Sequence, residues 1–205
     1  MRADSFSETV ARRMRTVLDA EAAAIRAVAL TPAFFETVEI LFRFFRPRDK
    51  VLTTGMGKAG HVARKFAATL CSTGTPATYV HPGEAAHGDA GIVGPGDCIV
   101  AFSTSGKTRE VLDFLRSGRD LGTRHIVGIT SHPETEFGTL CSLVLDMGVI
   151  EEPCPLGLTP SASTAVMLAI GDALALALME IRHFTREDFG RRHHGGYLGQ
   201  VANGK

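Results

Sequence analysis

Short β-prone runs alternate with helical stretches from residue 50 onward, and this alternation constrains the fold more than any other feature of the chain. Lys50–Thr54, Thr78–Val80, Asp97–Phe102, His125–Thr130 and Leu143–Asp146 read as strands. Helical spacing falls between most of them, notably over 107–121 and 134–141, and residues 160–183 read as a long closing helix. Strands joined through helices run parallel, and the helices cover both faces of the sheet. A chain of 205 residues holds one such domain with a full core. In sheets of this kind ligands collect beyond the carboxyl ends of the strands. Gly55–Lys58, His81–His87, Ser103–Thr108 and Glu151–Glu152 all follow strands, so they are expected along one edge.

Two helices precede the sheet. Val10, Met14, Val17, Leu18, Ile25 and Val28 keep a helical spacing with arginines between them. Thr31-Pro32 caps a second helix whose apolar stripe is Phe35, Val38, Phe42 and Phe45, and which Pro47 ends. The segments 1–46 and 184–205 therefore flank a single domain as an N-terminal helical segment and a charged, flexible C-terminal tail. Basic and acidic residues balance at 22 each, which argues against a nucleic-acid surface or an acidic-membrane surface. The N-terminus has no apolar core of a signal peptide, so a cytoplasmic location is expected. Ala165–Met179 is strongly apolar, but Gly171 and Asp172 divide it into runs too short for a bilayer, so it reads as a buried or interfacial helix. Cys71, Cys98, Cys141 and Cys154 lack C-x-x-C spacing, and three of them sit in apolar contexts. Small buried reduced thiols fit this pattern.

Two loops bear on phosphate binding. Gly55-Met56-Gly57-Lys58-Ala59-Gly60 fits G-x-G-x-x-G after a strand, but the next strand ends at Val80 without the acid a dinucleotide site needs. Ser103-Thr104-Ser105-Gly106-Lys107-Thr108 ends like a P-loop, but Ala101 stands where the first glycine belongs. The remaining reading is a sugar-phosphate clamp: Ser103, Ser105 and Thr108 donate hydroxyls, Gly106 lets the backbone approach, and a helix N-terminus faces the anion. Lys58 and Lys107 occupy first helical turns, where the dipole disfavours a cation by roughly 0.3–1 kcal/mol and a bound phosphate reverses the sign. The plainer alternative is that both lysines extend into solvent.

The acid–base groups cluster near these loops. Glu110 follows the hydroxyl loop in a first helical turn, a position that helix capping alone also explains. Glu151-Glu152 precede Pro153-Cys154-Pro155, which imposes a fixed irregular loop; a rigidly held acid is a candidate base, and a solvated surface pair is the alternative. His81, Glu84 and His87 have metal-ligand chemistry, but Pro82-Gly83 keeps them off one continuous helix, so single histidines acting as donors or acid–base groups fit better.

Together these motifs resemble the arabinose-5-phosphate isomerases of the sugar isomerase (SIS) domain superfamily. The resemblance rests on Gly55–His61, Ser72–Pro76, His81–Asp89, Ser103–Gly106, Cys154–Ser161, Gly171–Ala175 and Phe184–Phe189, in order, and covers about residues 10–200. It implies an α/β fold: a five-stranded parallel sheet flanked by helices, a Rossmann-like three-layer sandwich with N-terminal helices. It also implies a homotetramer with sites at subunit interfaces, no required cofactor, and reversible interconversion of D-ribulose 5-phosphate and D-arabinose 5-phosphate through an enediol. Carried over by motif, catalytic positions fall on Lys58, Glu110, Glu152 and His193. Substrate contacts fall on Gly57, Gly74, Thr75, His81, His87, Ser103, Thr104, Ser105 and Thr108. His81 also falls on a position that binds an inhibitory, not required, zinc ion.

The chemistry suits these residue types. A carboxylate, Glu152, shuttles the proton between C1 and C2; Lys58 stabilises the enediolate oxygens; His193, from a neighbouring subunit, assists ring opening; Glu110 supports either step. Two departures stand out. Arg192 precedes His193 and His194 replaces the usual proline, and the resemblance is to a short form, for which the tandem CBS domains common in relatives are not expected. The competing readings are an isomerase of another phosphosugar and a non-catalytic phosphosugar sensor, which would need only the hydroxyl loop.

Overall fold

The computed structural model describes residues 5–43 and 48–204. The capping box of Ser5 and Glu8 starts α1 (Phe6–Arg26), and Pro32 occupies the first position of α2 (Pro32–Arg43). The Phe45 end of the predicted stripe and the Pro47 stop lie outside the described residues. The sheet then builds through β1 (Val51–Gly55), α3 (Gly57–Ser72), β2 (Ala77–Tyr79), the single-turn α4 (Pro82–Ala85), a 3-10 turn at Asp89–Ile92 and β3 (Cys98–Phe102). It continues through α5 (Arg109–Asp120), β4 (His125–Thr130), α6 (Glu136–Leu140) and β5 (Leu143–Asp146). Helices α7 (Ala162–Ile181), α8 (Arg186–Arg192) and α9 (Tyr197–Ala202) complete the chain.

All strand pairs are parallel, in the order β2-β1-β3-β4-β5. The order reverses between β1 and β3, which opens the crevice where such sheets take ligands. Side chains alternate across the sheet and define two apolar layers. On one face Val51, Val100, Phe102, Val127, Ile129 and Leu145 pack with Phe66 of α3, Leu41 of α2 and Val166 and Ile170 of α7. On the other, Leu52, Ile99, Ala101 and Ile126 pack with Val111, Phe114 and Leu115 of α5 and Phe137 of α6. The three-layer expectation holds.

The long closing helix expected over 160–183 forms as α7, and Gly171 and Asp172 divide its apolar run without breaking the helix over its 20 residues. Gly171 instead lets the ring of Phe66 approach the helix, and Asp172 forms an ion pair with Lys65 of α3. By length and composition alone α7 is long and apolar enough to cross a membrane, but half of that stretch is buried within the fold. The segment after 184 is ordered rather than tail-like: a Thr185–Asp188 capping box starts α8, and the Arg186 guanidinium donates to the Val201 and Ala202 carbonyls of α9. The cysteines also divide. Cys98 is buried and Cys141 partly so, whereas Cys71 is exposed and Cys154 half-exposed.

Candidate active site at the carboxyl edge of the sheet

The β3–α5 loop is built to present donors. Thr104 is fixed through its carbonyl, which accepts the Ser131 N–H at 3.2 Å and the Thr130 hydroxyl at 3.2 Å. Gly106 has φ +63°, and a Cβ there would collide with Thr135 and the His132 carbonyl, so glycine is required where the loop rests on the β4–α6 loop. The Ser105 Oγ accepts from the Lys107 N–H at 3.3 Å. Thr108 caps α5 without a side-chain hydrogen bond, which leaves the first N–H groups of a 12-residue helix open to an anion. The Ser103 and Ser131 hydroxyls are buried at the ends of β3 and β4 and have no hydrogen-bond partner among the described residues. Ala101 is a fully buried central strand residue paired with Thr54 and Gly128, which excludes the curled backbone of a P-loop.

Lys58 enters from the first turn of α3, exposed, in a helix with no acid in that turn and no capping side chain. It lines a cavity of about 430 Å³ with Glu21, Val62, Pro160, Ser161 and Thr164. Glu152 lies directly behind Ser161. Its Oε2 accepts the N–H groups of Ser161 and Ala162 at 2.8 and 2.9 Å, and its Oε1 accepts that of Ser163 at 3.2 Å. Burial is the largest single influence on this carboxyl and raises its pKa. The Ser163 hydroxyl, close by but outside hydrogen-bond geometry, and the N–H groups of Ser161, Ser163 and Ala162 together outweigh it and hold the pKa below the ordinary value. The acidic pair thus splits: Glu151 is exposed, and Glu152 caps α7.

Glu110 stands exposed in the first turn of α5, beside the hydroxyl loop. Gly57 occupies the first turn of α3 with φ +57°. His81 caps α4, its Nδ1 accepting the Glu84 N–H at 3.4 Å, so only Nε2 remains for a ligand. His87 is exposed two residues after α4. No group of three or more His, Cys, Asp or Glu side chains suited to a metal occurs among the described residues.

Three of the sequence candidates lie elsewhere. The Gly74–Thr75 turn leads into β2, at the amino edge of the sheet; the Pro76 carbonyl accepts from Val51, the first residue of β1. Thr75 is buried and accepts from Arg182, and Gly74 packs against the ring of Phe184. Neither reaches the carboxyl edge of its own chain, so their assignment as substrate contacts does not hold within one protomer. His193 shares that location: the preceding Arg192 lies over the Phe184 ring at 5.0 Å. The His193 ring stacks on Phe189 at 3.8 Å and its Nδ1 is 2.9 Å from the Phe189 carbonyl oxygen. The 20 residues of α7, about 30 Å of helix, separate this group from Glu152.

The structure also adds residues. Arg13 of α1 donates to the Pro153 carbonyl at 3.2 Å, tying α1 to the Glu152 loop. Glu21 enters the Lys58 cavity from the same helix. Its sequence signal is its spacing from Val17, Ala24 and Val28, which places a carboxylate on a half-buried helix face. Ser131 carries no comparable signal.

A family model described as SIS domain matches residues 44–177. The arabinose 5-phosphate isomerase KdsD of Pseudomonas aeruginosa is 47% identical over 153 residues, 75% of this chain and 47% of that protein. The KdsD of Francisella tularensis is 42% identical over 167 residues, 82% of this chain and 51% of that protein. This chain thus spans about half the length of these curated relatives. The solved structure of c3406 from E. coli CFT073, in complex with arabinose 5-phosphate, superposes with a TM-score of 0.85 at 36% identity and covers 93% of this chain and 100% of that one. The β1/β3 crevice, the hydroxyl loop after β3 and the long helix behind Glu152 fall inside the matched region or frame it, and the chain belongs to the SIS domain family.

Proposed function

We propose that the protein is an aldose–ketose isomerase that interconverts D-ribulose 5-phosphate and D-arabinose 5-phosphate. The observation that carries the reading is the conjunction, on the carboxyl edge of one sheet, of a donor-rich loop after β3, a lysine after β1 and a carboxylate held by N–H groups after β5. The likeness to KdsD proteins, and to a structure bound to arabinose 5-phosphate, supports the choice of sugar. The Ser103–Thr108 loop and the open N-terminus of α5 hold the phosphate. Lys58 stabilises the oxygens that acquire charge in the enediolate. Glu152 is kept ionised by its N–H donors, the form that accepts a proton from C1 or C2, and its Oε1 retains a free lone pair because it takes a single bond. Glu110 supports the transfer from the neighbouring helix, and His81 and His87 contact the sugar. A zinc ion at His81 would take Nε2 and inhibit. No cofactor enters the reaction.

The ring-opening step needs His193, and its distance from Glu152 within one chain supports a site completed by a second copy, which would also bring Gly74 and Thr75 to the substrate. Phe6, Met14, Leu18 and Phe35 are exposed on α1 and α2, and this apolar surface suits burial in a cytoplasmic homotetramer. The ligand is a small phosphosugar, with no nucleic-acid or membrane partner.

The test is NMR of the protein with pentose and hexose phosphates in deuterium oxide. Deuterium entering C2 of arabinose 5-phosphate is the expected result. Exchange in a different sugar reassigns the substrate, and exchange in none identifies a phosphosugar sensor. Mixing Lys58→Met with His193→Ala restores activity if the site is shared between subunits and leaves both inactive if it is not.

A further inference from the structure

The Lys58 cavity poses an electrostatic problem. Lys58 places its ammonium in the first turn of α3, against the positive end of the helix dipole, and α3 supplies no acid there to offset it. The Glu152 carboxylate is committed elsewhere, to the Ser161, Ala162 and Ser163 N–H groups. Glu21, half-buried on α1, is the acidic residue that lines the same cavity of about 430 Å³ as Lys58. Neither Glu21 nor Lys58 has a side-chain hydrogen bond or ion pair among the described residues, so each charge is available to the other and to a ligand between them. Arg13, two turns earlier on the same helix, bonds the Pro153 carbonyl and fixes α1 against the loop that carries Glu152.

We infer that Glu21 is a positioning residue for Lys58. Its carboxylate is the counter-charge that draws the ammonium into the cavity and holds it toward the crevice, so that the cation meets the sugar oxygens already oriented. The role belongs to a helix that otherwise only covers the sheet, and it makes α1 part of the site. The inference rests on the isomerase reading for its kinetic consequence but not for its geometry.

The experiment therefore has two arms. In the first, Lys58 is observed in the intact protein as its ¹³C-dimethylated derivative by NMR, in wild type and Glu21→Gln. The expected result is a displaced Lys58 resonance with the other lysine resonances unchanged; an unmoved Lys58 resonance overturns the inference. In the second arm, Glu21→Gln lowers kcat about ten-fold with little change in KM, and Glu21→Asp recovers part of the loss. In a Lys58→Gln background Glu21→Gln costs nothing further, since the lysine it positions is gone. A full additional ten-fold loss there overturns the inference, as does an Asp variant no better than Gln. If no phosphosugar is turned over by any form, the isomerase reading falls, while the resonance arm still decides whether Glu21 holds Lys58.

Discussion

At its N-terminal end α7 is capped by Glu152, a residue outside the helix on an irregular loop; the Ser161 hydroxyl at the cap position donates to that carboxylate rather than capping the helix itself, and the Ser163 hydroxyl is buried without a hydrogen-bond partner among the described residues. At its C-terminal end the same helix closes on itself and on the core. The N–H groups of His183 and Phe184 return to the Glu180 and Met179 carbonyls, and the Arg182 guanidinium bonds the Leu41 and Phe42 carbonyls and the Thr75 hydroxyl. One end leaves a carboxylate oxygen and a hydroxyl available, and the other ties its polar groups into the turn and the core. A single helix thus carries the cost of a site at the carboxyl edge and compensates at the amino edge.

The sharpest way to break this contrast is Glu152→Gln. On the proposed isomerase reading, loss of this carboxylate as the base is expected to lower kcat by about 10²–10⁴. Near-normal turnover would remove Glu152 from the proton-transfer step. The substitution also turns an amide NH₂ toward N–H donors, at a cost of about 1–3 kcal/mol in stability. Because the folded-state pKa of Glu152 lies below the ordinary 4.5, its stabilisation is present above that value and is lost as pH falls through the folded pKa. Urea midpoints measured from pH 6 downward should fall more steeply for wild type than for the Gln variant, and parallel curves would refute the assignment.

Arg182→Ala tests the opposite end. Burial draws the Arg182 pKa down to about 10, so the guanidinium remains charged at neutral pH, and its bonds tie α7 to α2 and to the turn before β2. The expected loss is about 2–3 kcal/mol of stability, read from denaturant unfolding, with the affinity for inorganic phosphate unchanged. A weakened phosphate affinity of the same size would mean the two ends are not separate in function.

How much of this was legible before the structure follows the range of the interactions. The strands were readable because buried parallel strands are short apolar runs, and their boundaries move by about a residue, as with Lys50–Thr54 against Val51–Gly55. The carboxyl-edge loops were readable because each follows such a run. The position of Gly74 and Thr75 at the amino edge was not legible, because a motif gives order along the chain and not the edge of the sheet where a turn lies. Helices α8 and α9 looked like a tail because each is short and is held by the other, with Gly190 packed against Asn203. Glu21 was overlooked because the α1 stripe was drawn from hydrophobicity; Met14 and Leu18 of that stripe are exposed, and the half-buried face passes through Glu21. The capping of α7 by Glu152 crosses an irregular loop and leaves no periodic trace.

That same loop gives a smaller test of the contrast. The Cys154 thiol accepts the Thr159 and Leu158 N–H groups, each at 3.2 Å, and these draw its pKa down to about 7. Burial pushes Cys98 up, and Cys141 up to about 12. Iodoacetamide at pH 7.5 should therefore alkylate Cys154 at least about ten-fold faster than Cys98 or Cys141, as read by peptide mass spectrometry over time. Equal rates would show that the loop does not hold its N–H groups on the sulfur in solution.

The smallest effect lies where the closed end of α7 is least well fitted. His183 has φ +52°, a left-handed conformation that costs an L residue about 1–2 kcal/mol and glycine nothing. The turn needs that conformation, since it is what returns the His183 and Phe184 N–H groups to the last helical carbonyls. The imidazole is exposed, so removing it uncovers little. His183→Gly relieves the strain but adds freedom to the unfolded chain, and the two leave a net gain of about 0.5–1 kcal/mol. A raised denaturation midpoint with unchanged turnover would place His183 wholly on the structural side of the helix. A loss of turnover would instead mean that this end also serves the reaction, through the neighbouring His193 group, and that the division of α7 into a working end and a closed end is drawn in the wrong place.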